Sequence, residues 1–164
     1  AKWDNRFQQL KRSYDPVRES FDTLFFAPLN DYNEEQRSLS IVRRQAHLEA
    51  LELSLSTLRN LMDDEWNQVE TWKEQQPGAL FLVDVGVVLS SILECISSAG
   101  REILATKYEL ERNRDNSAGL RNSWELSHLN SRMRELTETI DKIPTVYELN
   151  RKYATTTVRT ETTF

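Results

Sequence analysis

The chain has 164 residues, a length typical of one domain, and we expect a single helical-bundle domain over 1–164. Hydrophobic residues make up 38% and charged residues 29%, values typical of a folded protein rather than a disordered one. The net charge of −5 argues against a domain that is basic throughout, so a nucleic-acid site would need a local concentration of arginine. The longest uninterrupted apolar run, 79–83, is far shorter than the ~20 residues that span a bilayer, and no membrane contact is expected.

Few residues are suited to cofactor or catalytic chemistry. No secretory signal opens the chain, and the single cysteine, Cys95, cannot form an internal disulfide, so a reducing compartment is expected. Glu125 and His128 match half of a ferritin-like Glu-x-x-His motif, but the chain has no second copy. Gly-rich phosphate loops, His-Glu-x-x-His and Cys-x-x-Cys motifs are also missing. We therefore expect no catalytic residues, no metal site, no cofactor and no small-molecule substrate.

The first segment, 1–29, mixes aromatic side chains with charges and is interrupted by Pro16, which predicts two short helices. We expect this segment to be peripheral, with its aromatic rings packed on the outer end of a bundle or on a neighbouring subunit. From residue 34 to 76 the chain has neither Gly nor Pro. There an apolar stripe advances in steps of three and four, which predicts a helix: Leu48, Leu51, Leu55, Leu58, Met62, Trp66, Val69 and Trp72.

A separate apolar patch formed by Leu39, Ile41 and Val42 precedes this stripe, and whether 39–75 forms one helix or two stays open. Pro77-Gly78 predicts a turn. After it, 79–83 fits either a short strand or the approach to a helix over 84–107, whose predicted buried side chains are Val88, Leu89, Ile92, Leu93, Ile96, Ile103 and Leu104.

A polar span over 109–122 precedes a further helix, which has apolar residues at Leu126, Leu129, Met133, Leu136, Ile140 and Ile143. A short helix over 145–153 and a Thr-rich, low-complexity tail over 154–164 complete the chain. The predicted fold is therefore all-α: an antiparallel four-helix bundle over 30–153 with short additional terminal helices and an extended C-terminal tail.

Arginines concentrate in two stretches. Arg43 and Arg44 lie between apolar patches, and Arg112, Arg114 and Arg121 lie in the polar span. Guanidinium groups match phosphate oxygens, and an up-down bundle would bring both stretches to one end, opposite the turn near residue 77. The alternative is a solvated charge network in which these arginines pair with Glu109, Glu111 and Asp115.

Three segments, in order, resemble the coat proteins of rod-shaped plant RNA viruses, the tobamovirus, tobravirus and hordeivirus group. The run over 81–101 is similar to a radial bundle helix that follows a Phe-Pro turn, although Pro77 here precedes Phe81 by four residues. The run over 112–116 is similar to an Arg-Arg-x-Asp segment, with Asn113 in place of the second basic residue. The runs over 143–147 and 151–153 resemble the C-terminal Pro-x-Tyr and Arg-x-Phe-Glu motifs of tobravirus and hordeivirus coats.

The resemblance implies a structural capsid protein that forms a helical homopolymer around single-stranded RNA, located in the virion and the host cytoplasm. It implies RNA-binding residues that neutralise phosphates, namely Arg43, Arg44, Arg112, Arg114 and Arg121, with Gln45 and Asn113 touching bases or sugars. Asp115 would form a structural salt bridge with a neighbouring arginine.

Two further points complete the expectations. The acidic clusters 34–35 and 63–65 are expected either to repel across subunits and favour assembly at mildly acidic pH, or to be solvated faces. The alternative function is a helical-bundle or coiled-coil interaction domain, such as an adaptor, that does not bind nucleic acid. The same apolar stripes serve both functions.

Overall fold

The computed structural model describes residues 2–27, 34–112 and 124–153, and within these ranges the fold is all-α, as predicted. The helices are α1 (Lys2–Arg12), α2 (Asp15–Phe25), α3 (Glu34–Gln75), α4 (Phe81–Arg112), α5 (Trp124–Ile140) and α6 (Val146–Lys152). The range 79–83, for which a short strand was one option, instead leads into α4, which begins at Phe81.

The N-terminal helices bury most of their aromatic side chains in the core of the same chain, and Trp3 packs against Trp72 and Phe81 at the connected end of α3 and α4. Their buried side chains follow one another in steps of three and four and include Trp3, Phe7, Leu10, Tyr14, Val17, Phe21 and Leu24. Pro16 lies in the first turn of α2, where a backbone N–H has no helical partner, so it starts this helix without breaking the stripe. Phe25 and Phe26, at the end of α2, are the exposed aromatic residues among those described in this segment.

The long central segment is one helix. α3 runs without interruption for 42 residues, and a five-residue connection over 76–80 joins it to α4. Such a short connection returns the chain alongside itself, so the two helices are antiparallel. Two contacts mark the shared register: Lys107 Nζ lies 3.4 Å from Glu52 Oε1, and Gly86 packs near Val69.

α5 packs antiparallel to α4. Near one end Arg132 Nε lies 3.9 Å from Glu102 Oε1, and further along Cys95 Sγ lies 3.4 Å from Thr139 Oγ1. The short α6 is capped by Thr145, whose hydroxyl accepts a hydrogen bond from the backbone N–H of Glu148. The predicted helix over 145–153 is therefore present.

The apolar stripe of α3 is buried against α2 and α4, and most predicted core positions of α4 and α5 are buried as well. Leu104 is an exception, since it was predicted to be buried and is 59% exposed. The predicted patch near residue 40 also divides, because Ile41 faces the core while Leu39 and Val42 face solvent. Residues one apart on a helix point about 100° apart, so a contiguous apolar run cannot all face one partner.

α4 is long and apolar enough to cross a membrane by length and composition, although no uninterrupted apolar run in the sequence predicts this. Its most apolar window has a mean hydropathy of 1.8, and 39% of that window is buried within the protein. Core helices of soluble proteins also have these properties, and α4 is packed by α3 on one side and α5 on another.

Candidate nucleic-acid interface

The first predicted arginine stretch, at residues 43–44, lies near Arg112, the one arginine of the second stretch that the structure describes, at one end of the α3–α4 hairpin. Gln45 Nε2, on α3, donates a hydrogen bond of 3.0 Å to Glu111 Oε2, in the last turn of α4. Arg112 is the final residue of α4, and the connection over 76–80 joins the other ends of the two helices. At ~1.5 Å per helical residue, Gln45 lies about 45 Å from that connection. We call this region, formed by residues 43–45 and 109–112, the arginine end.

The described side chains of the arginine end differ in exposure. Arg43 is exposed to solvent, whereas Arg44 is buried, with an exposed fraction of 4%. Arg112 is on the surface, where Nη1 lies 3.6 Å from Glu109 Oε1. Burial removes Arg44 from the surface that a nucleic-acid strand would contact.

The arginine end contains acidic as well as basic side chains. The pairing of Arg112 with Glu109 is one ion pair of the solvated network that was left open as an alternative. Gln45, a predicted base or sugar contact, is engaged by Glu111. Asn113, Arg114, Asp115 and Arg121, together with the tail over 154–164, lie outside the described residues.

Large apolar side chains are exposed on the outer surfaces of the long helices. On α4 they are Val83, Val87, Leu104 and Tyr108, and on α3 they are Leu39, Val42, Leu53 and Leu61. Where such side chains form a contiguous patch, they are typical of surfaces that contact other proteins.

A second cluster of arginines was not predicted. A cleft of about 430 Å³ between the middle parts of α3 and α4 is lined by Arg59 and Arg101 together with Ser56, Ser97 and Gly100. We call it the central cleft. Arg59 and Arg101 belong to different helices far apart in sequence, so no local motif could have revealed the pair. The antiparallel register that aligns Lys107 with Glu52 brings them together.

The residue types suited to metals and redox chemistry do not assemble into a site in the ranges that the structure covers. No group of three or more His, Cys, Asp or Glu side chains there is close enough to hold a metal ion. His128 is exposed on α5, and Cys95 is a half-buried free thiol.

No protein family, curated protein or solved structure matches this chain.

Proposed function

We propose that the chain is a capsid subunit that polymerises into a helical rod and packages single-stranded RNA. The observation that carries the proposal is the hydrogen bond from Gln45 to Glu111, because it supports a position for Arg43 at the same end as Arg112. In the proposed particle, Arg43 and Arg112 contact RNA phosphates. Arg114 and Arg121, which follow α4 in the sequence, supply further phosphate contacts.

The proposed frame is an antiparallel four-helix bundle in which α1 and α2 together form one rod and α3, α4 and α5 form the others. Contacts between the helices support it. Ser20 on α2 lies 3.0 Å from Ser54 on α3, and the hydroxyl of Tyr14, between α1 and α2, lies 2.7 Å from Thr137 on α5. In a rod built from such subunits, the arginine end of every subunit would lie at the same distance from the particle axis.

The same proposal assigns a role to the exposed apolar surfaces. Lateral neighbours in a rod cover each other's sides, and Val83 and Val87 of α4, which are 47% and 61% exposed, would be covered in this way. Burying such side chains between subunits contributes about 25 cal/mol per Å² of apolar surface. The subunit would thus be a homo-oligomer of the virion, assembled in the host cytoplasm.

Electron microscopy with a nuclease test examines this proposal. The purified full chain is incubated with and without single-stranded RNA, imaged by negative stain, and treated with nuclease. We expect rods of uniform width that contain nuclease-resistant RNA. Small particles with fully digestible RNA under all buffer conditions would contradict packaging.

Charge reversal tests the residues at the arginine end. The variant Arg43→Glu/Arg112→Glu should lose nuclease-resistant RNA while its helical circular dichroism stays unchanged. Arg12→Glu/Arg134→Glu is the matched control, since both residues are exposed, lie away from this end and change the net charge equally. If the first variant packages RNA as well as the control does, the residue assignment is wrong.

The second candidate function is a helical interaction domain that does not bind nucleic acid. Three observations favour it: Arg112 pairs with Glu109, Gln45 binds Glu111, and Arg44 is buried. An adaptor of this kind would remain monomeric or dimeric in the microscopy experiment and would leave the RNA digestible.

A further inference from the structure

Two arginines line the central cleft, and among the described residues their guanidinium groups are bound only by neutral side chains; Ser98, which binds Arg101, lines the adjoining hollow that also contains Arg101. Arg59 Nη2 donates a 2.6 Å hydrogen bond to Ser97 Oγ, and Arg101 Nη2 donates a 3.1 Å hydrogen bond to Ser98 Oγ. Neither arginine takes part in the ion pairs found in 2–27, 34–112 and 124–153. Arg6, Arg112 and Arg132, by contrast, each have a carboxylate partner. The positive charges of Arg59 and Arg101 can therefore bind an anion.

The cleft has room and further hydrogen-bond donors for such a ligand. Ser56 and Ser97 place hydroxyl groups on its wall, and a hydroxyl that accepts from an arginine can still donate its own proton. The space beside Gly100 is open, because a Cβ atom built at this residue would have no heavy atom within 4 Å. A volume of about 430 Å³ is within the range of small-molecule sites.

The remaining lining argues for a small organic ligand. Leu55, Ile96 and Leu104 contribute apolar surface beside the two arginines. Glu52 lies at the part of the cleft where Lys107 binds it, and Glu94 lies in an adjoining hollow that shares Arg101. A strand carrying successive phosphates would meet carboxylates on leaving the cleft, whereas a single phosphate would not.

We propose that the central cleft binds the phosphate group of a phosphate monoester carried by a small organic molecule. Arg59 and Arg101 together match a dianion, since guanidinium donors form short charge-assisted hydrogen bonds with phosphate oxygens. The apolar wall contacts the organic part of the ligand. This site is separate from the arginine end and does not depend on RNA packaging.

A nuclear magnetic resonance titration of the full chain tests the proposal, with phenyl phosphate as the probe. We expect saturable amide shifts centred on residues 52–59 and 96–104. Inorganic phosphate and phenol should each bind more weakly, because each lacks one half of the ligand. Equal affinity for inorganic phosphate would overturn the assignment of an organic ligand, and tighter binding of a short oligouridylate in the cleft would assign it to RNA instead.

Three variants locate the site. Arg59→Gln and Arg101→Gln should each weaken phenyl phosphate about tenfold or more, since each removes a charged hydrogen-bond donor. Gly100→Leu should block the cleft while keeping both arginines, and the open space at Gly100 lets the fold accept it. Arg134→Gln, an exposed arginine on α5, is the control and should bind normally.

If Gly100→Leu binds phenyl phosphate as the unmodified chain does, the proposal is wrong. The same conclusion follows if Arg134→Gln loses as much affinity as the two cleft variants. Rod formation and RNA protection are measured separately, so the cleft and the arginine end can succeed or fail independently.

Discussion

At the scale of single residues, the helical register decides the role of a side chain more than its type does. Arg43 and Arg44 are neighbours in sequence, yet the first is exposed and the second is 4% exposed. Arg44 continues the series of core positions that includes Ile41, Leu48 and Leu51 in steps of three and four. The spacing in the sequence therefore already indicated a core position for Arg44. Arginine is rarely buried, however, so the residue type suggested a surface role.

Tyr14 is a buried polar residue on which the packing of α5 depends. Its ring is 2% exposed, and its hydroxyl lies 2.7 Å from Thr137 Oγ1. Burial raises the pKa of Tyr14 above its ordinary value, so the hydroxyl stays protonated. We expect Tyr14→Phe to lower the free energy of unfolding by ~1 kcal/mol, the usual net value of one hydrogen bond, as measured by urea denaturation. Tyr108→Phe, at a site 65% exposed, is the control and should change nothing measurable.

Asp84 ties α6 to the first turn of α4 in a pH-dependent way. It accepts hydrogen bonds from Lys152 Nζ at 2.7 Å and from Tyr153 Oη at 2.9 Å. The hydrogen bond to Asp84 raises the pKa of Tyr153 above 10.0 and that of Lys152 above 10.5. Because both folded-state values are raised, this contribution to stability is present below the ordinary values and is lost as pH rises through the raised ones.

We therefore expect Tyr153 to titrate above 10.0 in the folded protein, observed by its ring resonances during a pH titration. Asp84→Ala should lower the pKa of Tyr153 toward that ordinary value. Asp63→Ala, an exposed aspartate of α3, serves as the control. An unchanged titration of Tyr153 in Asp84→Ala would show that the contact does not hold α6.

At the scale of elements, the N-terminal helices show how local patterns and tertiary packing combine. Trp3 packs edge-on against Trp72, at the end of α3, and against Phe81, at the start of α4, with ring centroids 5.2 Å apart in both pairs. α1 therefore covers the α3–α4 connection. Glu65 on α3 also forms an ion pair with Arg6, and its second carboxylate oxygen lies 2.7 Å from that guanidinium.

Two phenylalanines test whether this segment belongs to the core. Phe7 is 2% exposed and Phe26 is 75% exposed. Phe7→Ala should lower the free energy of unfolding by ~3–5 kcal/mol, because it removes a buried ring and leaves a cavity. Phe26→Ala should leave it nearly unchanged, and thermal unfolding followed by circular dichroism compares the two. Similar small effects at both sites would show that the N-terminal helices do not contribute to the core.

At the scale of the whole molecule, we expect net charge to oppose contact between copies of the chain at neutral pH. The chain carries −5 at pH 7 and has an isoelectric point near 5.2. The cluster over 63–65 is divided, since Glu65 binds Arg6 while Asp63 and Asp64 are exposed. Repulsion between subunits should therefore come from the two exposed aspartates rather than from the whole cluster.

We expect light scattering to report larger assemblies near pH 5.2 than at pH 7, because neutralising carboxylates reduces this repulsion. Asp63→Asn/Asp64→Asn should assemble more readily at neutral pH. Glu19→Gln/Glu138→Gln makes the same change in net charge at exposed sites elsewhere and separates a local effect from a global one. Equal behaviour of the two variants would assign the effect to net charge alone.

The sequence by itself determined the all-α fold, the turn at Pro77-Gly78, the buried stripe of α3 and the capped C-terminal helix, because these depend on periodicity and on residues within a few positions of each other. Tertiary structure alone decided that 34–75 is a single helix, that Leu104 is exposed and that α1 and α2 join the core. It also decided the central cleft, since Arg59 and Arg101 become neighbours only when α3 and α4 pair in one register. Contacts between distant residues depend on how the apolar faces of the helices pack against each other. A single sequence shows which face of a helix is apolar, but it does not show which other helix packs against that face.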